Sequence, residues 1–264
     1  MLVKNKIMAV ALLAAATIIQ SCNDEAISVI PEPVANEKLV SRIETRWGSV
    51  IVTTQYYYRT DGQLDSLVWN RVNGADSHGR ERFFYDNTGR LEKKIVSQQG
   101  LVDQEILYTW ADGKIGAAKS YINGVKTSYQ LFDYNTAGQL TEIEFSIYDR
   151  NSGGYYFAGK NQYTYHPDGN LFEIKEFTAS LSQPQPTLVN TKVYDGYTQG
   201  KNPLPSMEIL PNVVLQKNLP SSFKLVLPDR EVAFTFSYTL QADGYPASRT
   251  VQGADAEQNS YSYR

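Results

Sequence analysis

The chain has 264 residues, 25 basic and 28 acidic side chains, a net charge of −3 and one cysteine. That balance, with no basic run, excludes a protein built to bind a phosphate backbone, which relies on clustered Lys and Arg. A single cysteine cannot close an internal disulfide, and 19 tyrosines against 3 methionines favour pleated, half-buried strands over helices.

The first stretch, MLVKNKIMAVALLAAATIIQSC, has the three zones of a secretory signal. Lys4 and Lys6 form the charged end, Ile7 to Ile19 the apolar run, and Ser21 the small residue before the cut. Ile19-Gln20-Ser21-Cys22 resembles the lipobox of bacterial lipoproteins, in which the cysteine is acylated and becomes the first mature residue. The resemblance implies a signal peptide over residues 1–21 and lipid attachment at Cys22. Several acyl chains on one residue hold a protein durably at a membrane, because each buried methylene contributes roughly 0.8 kcal/mol. Asp24 and Glu25 resemble the export signal of surface lipoproteins in Bacteroidota-type bacteria, which implies the outer membrane with the protein facing the cell exterior. Residues 22–38, rich in Pro and Glu, read as an extended acidic tether. Removing the signal leaves 264 − 21 = 243 residues and a net charge of −5, enough for one large all-β domain over residues 39–264.

That domain repeats one phrase. YYYRTDGQLDSL, FFYDNTGRLEKKI, LYTWADGKIGAA, FDYNTAGQLTEI, YTYHPDGNLFEI and FSYTLQADGYPAS align on Gly62, Gly89, Gly113, Gly138, Gly169 and Gly244, spaced by 27, 24, 25, 31 and 75 residues. A period near 25 residues is the mark of a repeat architecture. Each phrase reads as a β-hairpin: alternating aromatics on one face of a strand, turn-forming residues, a glycine free to take positive φ, then a second apolar strand. Leu91 and Ile95, Leu140 and Ile143, and Leu171 and Ile174 are expected to return to the core. The odd spacing of the last two pairs predicts a bulge or a residue that caps the sheet end. Neighbouring hairpins should pair in order, giving an all-β antiparallel meander that forms one long curved or partly closed sheet. Pro203, Pro205, Pro211 and Pro220 interrupt the pattern and predict an irregular or partly helical excursion near residues 196–222, crossing the sheet where it could plug the open side. Strands are expected again over residues 223–227 and 232–240.

The phrase Y-x-Y-D-x-x-G-x-L-x-x-I resembles the YD, or RHS-like, repeat. With the lipobox, the acidic tether and the segment YDGYTQGKNPLP, the mature chain resembles Bacteroidota lipoproteins of unknown function that carry such repeats. The resemblance spans about residues 40–264. It implies a meander at a cell surface and brings no catalytic residue with it.

Motifs with chemical potential each have a plainer explanation. Gly154 to Lys160 matches the start of a phosphate-binding loop, but Asn161 stands where the magnesium-binding hydroxyl belongs. Asp61, Asp86, Asp112, Asp168 and Asp243 suit turn capping better than calcium, which takes 6 to 8 oxygens. His78 and His166 lie far apart and lack the motifs of a catalytic triad or a zinc site. Glu142 and Glu144 face the same way along a strand, as on a solvated face rather than across a cleft. Trp47 and Trp69 could stack on sugars, whereas Trp110 takes a tyrosine position of the repeat and reads as core. No cofactor, metal or nucleic acid is expected. The function expected is that of a membrane-anchored, non-enzymatic envelope lipoprotein, a binding or structural module with a protein or glycan as ligand. The alternative is a polysaccharide-acting hydrolase with a cleft between the sheet and the proline-rich excursion.

Overall fold

The computed structural model describes residues 38–264, other than 208, 209, 212, 254 and 255. The expected signal peptide, Cys22 and most of the tether lie outside the described residues. Sixteen strands follow one another among the described residues. The first eight are β1 (Val40–Trp47), β2 (Val50–Tyr58), β3 (Leu64–Val72), β4 (Ser77–Tyr85), β5 (Leu91–Gln98), β6 (Gln104–Ala111), β7 (Lys114–Ile122) and β8 (Val125–Tyr134). The remainder are β9 (Leu140–Asp149), β10 (Gly154–Tyr165), β11 (Leu171–Thr178), β12 (Thr187–Asp195), β13 (Ser222–Val226), β14 (Glu231–Leu240), β15 (Pro246–Gln252) and β16 (Glu257–Tyr263).

Each strand pairs antiparallel with its sequence neighbours, as a meander should. The expectation of one curved or partly closed sheet is corrected at the seam: β1 pairs with β16, with Ile43 opposite Tyr261 and Thr45 opposite Asn259, so the sheet is a closed barrel. Closure removes the two edge strands that an open meander would leave as templates for aggregation. The curvature it needs is built in locally. In the hairpins β2–β3, β4–β5, β6–β7, β8–β9, β10–β11 and β14–β15, one extra residue is accommodated at the start of the second strand: Asp65, Glu92, Gly116, Thr141, Phe172 and Ala247. Each bulge bends its strand and sharpens its twist.

The bulges also reset which residues face inward. Ile143 lies opposite Phe132 and Ile174 opposite Tyr163, all four buried, so the odd spacing from Leu140 and Leu171 is met by the bulge. The same bulge corrects the reading of Ile95. Lys94, not Ile95, lies opposite the buried Phe83, and Ile95 shares the outward face with Arg82. Lys94 enters the barrel with a partner, its Nζ 2.9 Å from a carboxylate oxygen of Glu81.

The connections fall into two sets. Those joining even to odd strands, together with Lys38 and Arg264, gather at one rim. Gly62, Gly89, Gly113, Gly138, Gly169 and Gly244 all sit in turns at this rim with φ between 75° and 88°. The proline-rich excursion is the β12–β13 connection of the same rim, residues 196–221. It does not lie across an open sheet, since none exists; it folds into the barrel end as a plug. Its described residues form turns and one isolated bridge, Lys201 to Asn218, with no helix among them. Leu210, Val213 and Leu215 are buried among inward-facing Phe83, Tyr108, Phe132, Tyr163 and Tyr194, while Leu204 packs on Val40, Ile43 and Tyr56. Burying each such aliphatic side chain contributes roughly 1.5–3 kcal/mol, which is what holds a segment that prolines keep out of the ladder.

Candidate functional site at the plugged rim

The second aromatic of each repeat performs one task around the rim. Its ring points inward and its polar atom donates to a backbone carbonyl at the start of the preceding odd strand. Tyr58 donates to Val40 at 2.9 Å, Tyr85 to Leu64 at 2.9 Å, Tyr134 to Ile115 at 3.1 Å and Tyr165 to Leu140 at 2.7 Å. Tyr197, Tyr238 and Tyr263 continue the series onto Leu171, Pro220 and Pro246. Trp110 serves in place of tyrosine, its Nε1 donating to Leu91 at 2.8 Å. The carbonyls of Leu64, Leu91, Ile115, Leu140, Leu171 and Pro246 are available because each precedes a bulged residue, which takes it out of the ladder. Burial pushes the hydroxyls of Tyr58 and Tyr134 up to about 12, and for Tyr58 the nearby Arg264 guanidinium works in the opposite sense. Cations cover several of these rings: Arg264 lies 4.7 Å from the Tyr58 centroid, Lys114 5.1 Å from Tyr134 and Arg90 5.8 Å from Trp110.

The aspartates of the repeat cap their own turns. Asp61 accepts from the Gln63 amide at 3.0 Å, Asp86 from Thr88 at 2.8 Å and Arg90 at 2.9 Å, and Asp168 from Asn170 at 2.9 Å. Those bonds hold the Asp86 and Asp168 carboxyls below the usual carboxylate range. Asp112 joins Gly113 in positive φ, the two-residue turn that suits a hairpin. The other singled-out groups are dispersed. His166 sits at the rim with Nε2 3.1 Å from the Tyr194 carbonyl, His78 is on the outward face of β4, and Gly154 to Lys160 runs along β10. Glu142 faces outward and accepts from Lys160 and Gln162, each at 2.9 Å.

Asn170 pins the plug, and nothing in its sequence context sets it apart from the Gln or Arg in the same slot of other repeats. It is 1% exposed. Its side-chain oxygen accepts from the amides of Lys217 at 2.8 Å and Asn218 at 3.0 Å, and its nitrogen donates to Asp168 and Asn218. The Leu171 amide adds a bond to the Leu215 carbonyl at 2.9 Å, and the Lys201 amide one to Gly244 at 2.9 Å.

The plug does not fill the barrel end. Between it and the wall from β2 to β10 lies a cavity of about 2140 Å³, bounded by the turns of Gly62, Gly89, Gly113, Gly138 and Gly169 and by plug residues including Asn202 and Pro205. Charged residues on its lining are the cations Lys38, Arg90, Lys114, Lys201 and Lys217 and the acids Glu81, Asp112 and Asp168. Lys38 is ion-paired with Asp243, and Glu81 with Lys94. Trp69 of β3 reaches this cavity from the wall. It lies flat on β4 where Gly79 leaves room: a Cβ on Gly79 would stand 2.5 Å from Trp69 Cε2 and 2.6 Å from Nε1. The sequence singles out Trp69 as able to stack on sugars but not its seat, which pairs positions 69 and 79 across a hairpin between two of the repeated phrases.

No family model matches this chain, and no curated protein matches it by sequence. Solved structures do share its fold. A porin-like protein from Bacteroides uniformis aligns with a TM-score of 0.59 at 16% identity, covering 85% of this chain and 98% of its own. A second porin-like protein, from Bacteroides vulgatus, aligns with a TM-score of 0.58 at 14% identity, covering 86% and 99%. At such identity the likeness is one of fold: an all-antiparallel closed barrel spanning nearly the full length of both neighbours.

Proposed function

We propose that this protein is an outer-membrane lipoprotein held by acylated Cys22, with a barrel that stands in water and works as a non-enzymatic binding module. The observation that carries the reading is the outward face of the barrel. A membrane-spanning barrel turns an apolar band outward, and Arg or Lys at the bilayer midplane costs about 2–4 kcal/mol each. Here Lys119, Lys160 and Lys175 project outward from mid-strand positions of β7, β10 and β11, with Glu144 and Glu173 among them. Ion pairs cross this face, Lys93 to Glu105 at 3.6 Å, Lys160 to Glu142 at 2.9 Å and Lys224 to Glu231 at 2.9 Å. Such a wall suits solvent, so membrane attachment falls to the lipid. Of the three acids lining the cavity, Asp168 has its carboxyl held below the usual carboxylate range by its own turn, the reverse of a general acid, and Glu81 is engaged by Lys94.

The experiment expresses full-length wild type and Cys22→Ala in a Bacteroidota host with labelled fatty acid, then washes the membranes with alkaline carbonate. Wild type should carry label and stay with the membrane, and Cys22→Ala should be unlabelled and released. Retention of unlabelled Cys22→Ala after the wash would mean that the barrel itself spans the bilayer, as the porin-like neighbours invite one to ask.

A further inference from the structure

We propose that the rim cavity binds an acidic oligosaccharide, one sugar ring stacking on Trp69 while carboxylate or sulfate groups meet the cations of the rim. This rests on the binding-module reading and names its ligand class. Three features converge. The first is the flat indole. Trp69 occupies the space a Cβ would take at Gly79, so one face is pressed on the β4 backbone while the side chain borders the cavity. An aromatic plane immobilised in this way offers a rigid apolar surface to the C–H face of a pyranose at little cost in side-chain entropy. It has no part in the ring of aromatic-to-carbonyl bonds that holds the rim together, so its placement is not explained by that role.

The second feature is charge. With Lys38 engaged by Asp243 and Glu81 by Lys94, the cations Arg90, Lys114, Lys201 and Lys217 remain against Asp112 and Asp168. A concave, low-dielectric wall concentrates that excess and raises the local concentration of anions. The overall chain is acidic at −3, so the positive lining is a local property of this rim. The third is size. At about 2140 Å³ the cavity exceeds the roughly 300–1,000 Å³ of sites that enclose a small molecule, and suits a chain of several units. Amide side chains that can bond sugar hydroxyls, Gln63, Gln139 and Asn202, border the same space.

The test uses the full-length lipoprotein in detergent and titration calorimetry with four probes: a galacturonic acid hexamer, a chondroitin sulfate hexamer, the neutral maltohexaose and, as an acidic peptide, hexaglutamate. An acidic sugar should bind, maltohexaose should bind about tenfold more weakly, and added salt should weaken the acidic probe alone. Trp69→Ala should lose about tenfold in affinity. Gly79→Val should do the same with Trp69 still present, because it lifts the indole from its seat. Trp69→Phe should recover part of the loss, which separates a missing platform from a misfolded wall. Binding of neither acidic sugar, unchanged affinity in Trp69→Ala, or equal binding of hexaglutamate would overturn the proposal. Cys22→Ala should bind like wild type, so a failure of the anchoring reading is distinguishable from a failure of this one.

Discussion

At the plugged rim each turn is tied to the next by an aromatic side chain, as Tyr165 is to Leu140 and Tyr85 to Leu64. At the opposite rim the connections close locally through their own backbone: Asn123 and Gly124 form a two-residue turn in positive φ, Gly153 donates to Asp149 at 2.9 Å and Leu227 to Arg230 at 2.8 Å. The difference explains why only one rim repeats in sequence. A bond from one hairpin to its neighbour requires the same aromatic, bulge and glycine in every unit. A turn that satisfies itself can vary in length and residue without disturbing the next. The plugged rim is also where the chain places its cavity, so the repeated chemistry is the rigid frame of the candidate site.

The largest test of that contrast is alkaline pH. Burial raises the Tyr163 and Tyr134 hydroxyls from 10 to about 12, and Tyr58 likewise. The folded state therefore keeps protons that the unfolded chain releases above pH 10. The stabilisation is fully present below pH 10 and is lost as pH rises toward 12. At about 1.4 kcal/mol per pKa unit, Tyr163 alone stands to lose roughly 2–3 kcal/mol. Denaturant midpoints measured from pH 8 to 12 should fall steeply above 10. A Tyr58→Phe, Tyr134→Phe double variant should start less stable and fall less steeply; parallel curves would break the link between this rim and the alkaline loss.

Asn170→Ala comes next. It leaves the backbone amides of Lys217 and Asn218 without their part-buried acceptor, and each unmade bond costs about 1–3 kcal/mol. Chemical denaturation should show a loss of roughly 2–5 kcal/mol, and limited proteolysis should cut within residues 196–221 under conditions that leave wild type intact. Gly89→Val should cost about 1–3 kcal/mol, since φ is 80° there and a β-branched side chain is strained in that region. Valine at Ser97, outward on β5, is the control, expected within about 0.5 kcal/mol of wild type.

Much of this frame was legible because the repeat writes local rules into the sequence. Tyrosine at alternating positions, a turn former and a glycine specify each hairpin, and neighbour pairing follows from short connections. What the phrases do not encode is the sum of their bends. Closure of β1 on β16 depends on how twist and bulge accumulate over sixteen strands, and no single residue states it. The period also hid two units. Tyr194 and Tyr197 flank Asp195 and Gly196 as a seventh phrase whose turn has grown into the plug, and Tyr261 and Tyr263 form the aromatic pair of an eighth on β16. Ile95 was misplaced because a two-residue period cannot be carried across a bulge. The cavity was readable only in fragments: Trp69 is visible as a tryptophan, but its seat on Gly79 is a tertiary fact.

The smallest effect is the most specific to the comparison. Tyr165→Phe keeps the buried ring and removes the 2.7 Å bond to the Leu140 carbonyl, leaving an acceptor already freed from the ladder by the bulge at Thr141. A neutral hydrogen bond contributes about 0.5–1.5 kcal/mol net. Tyr155→Phe is the matched control. That tyrosine lies on the outward face near the opposite rim, 5.3 Å from Tyr148 and 38% exposed, and losing a solvated hydroxyl there should change stability by less than about 0.5 kcal/mol. Hydrogen exchange sharpens the distinction. If the aromatic bonds couple neighbouring turns, Tyr165→Phe should loosen amides in both the Gly138 and Gly169 turns, whereas a purely local bond would loosen only one.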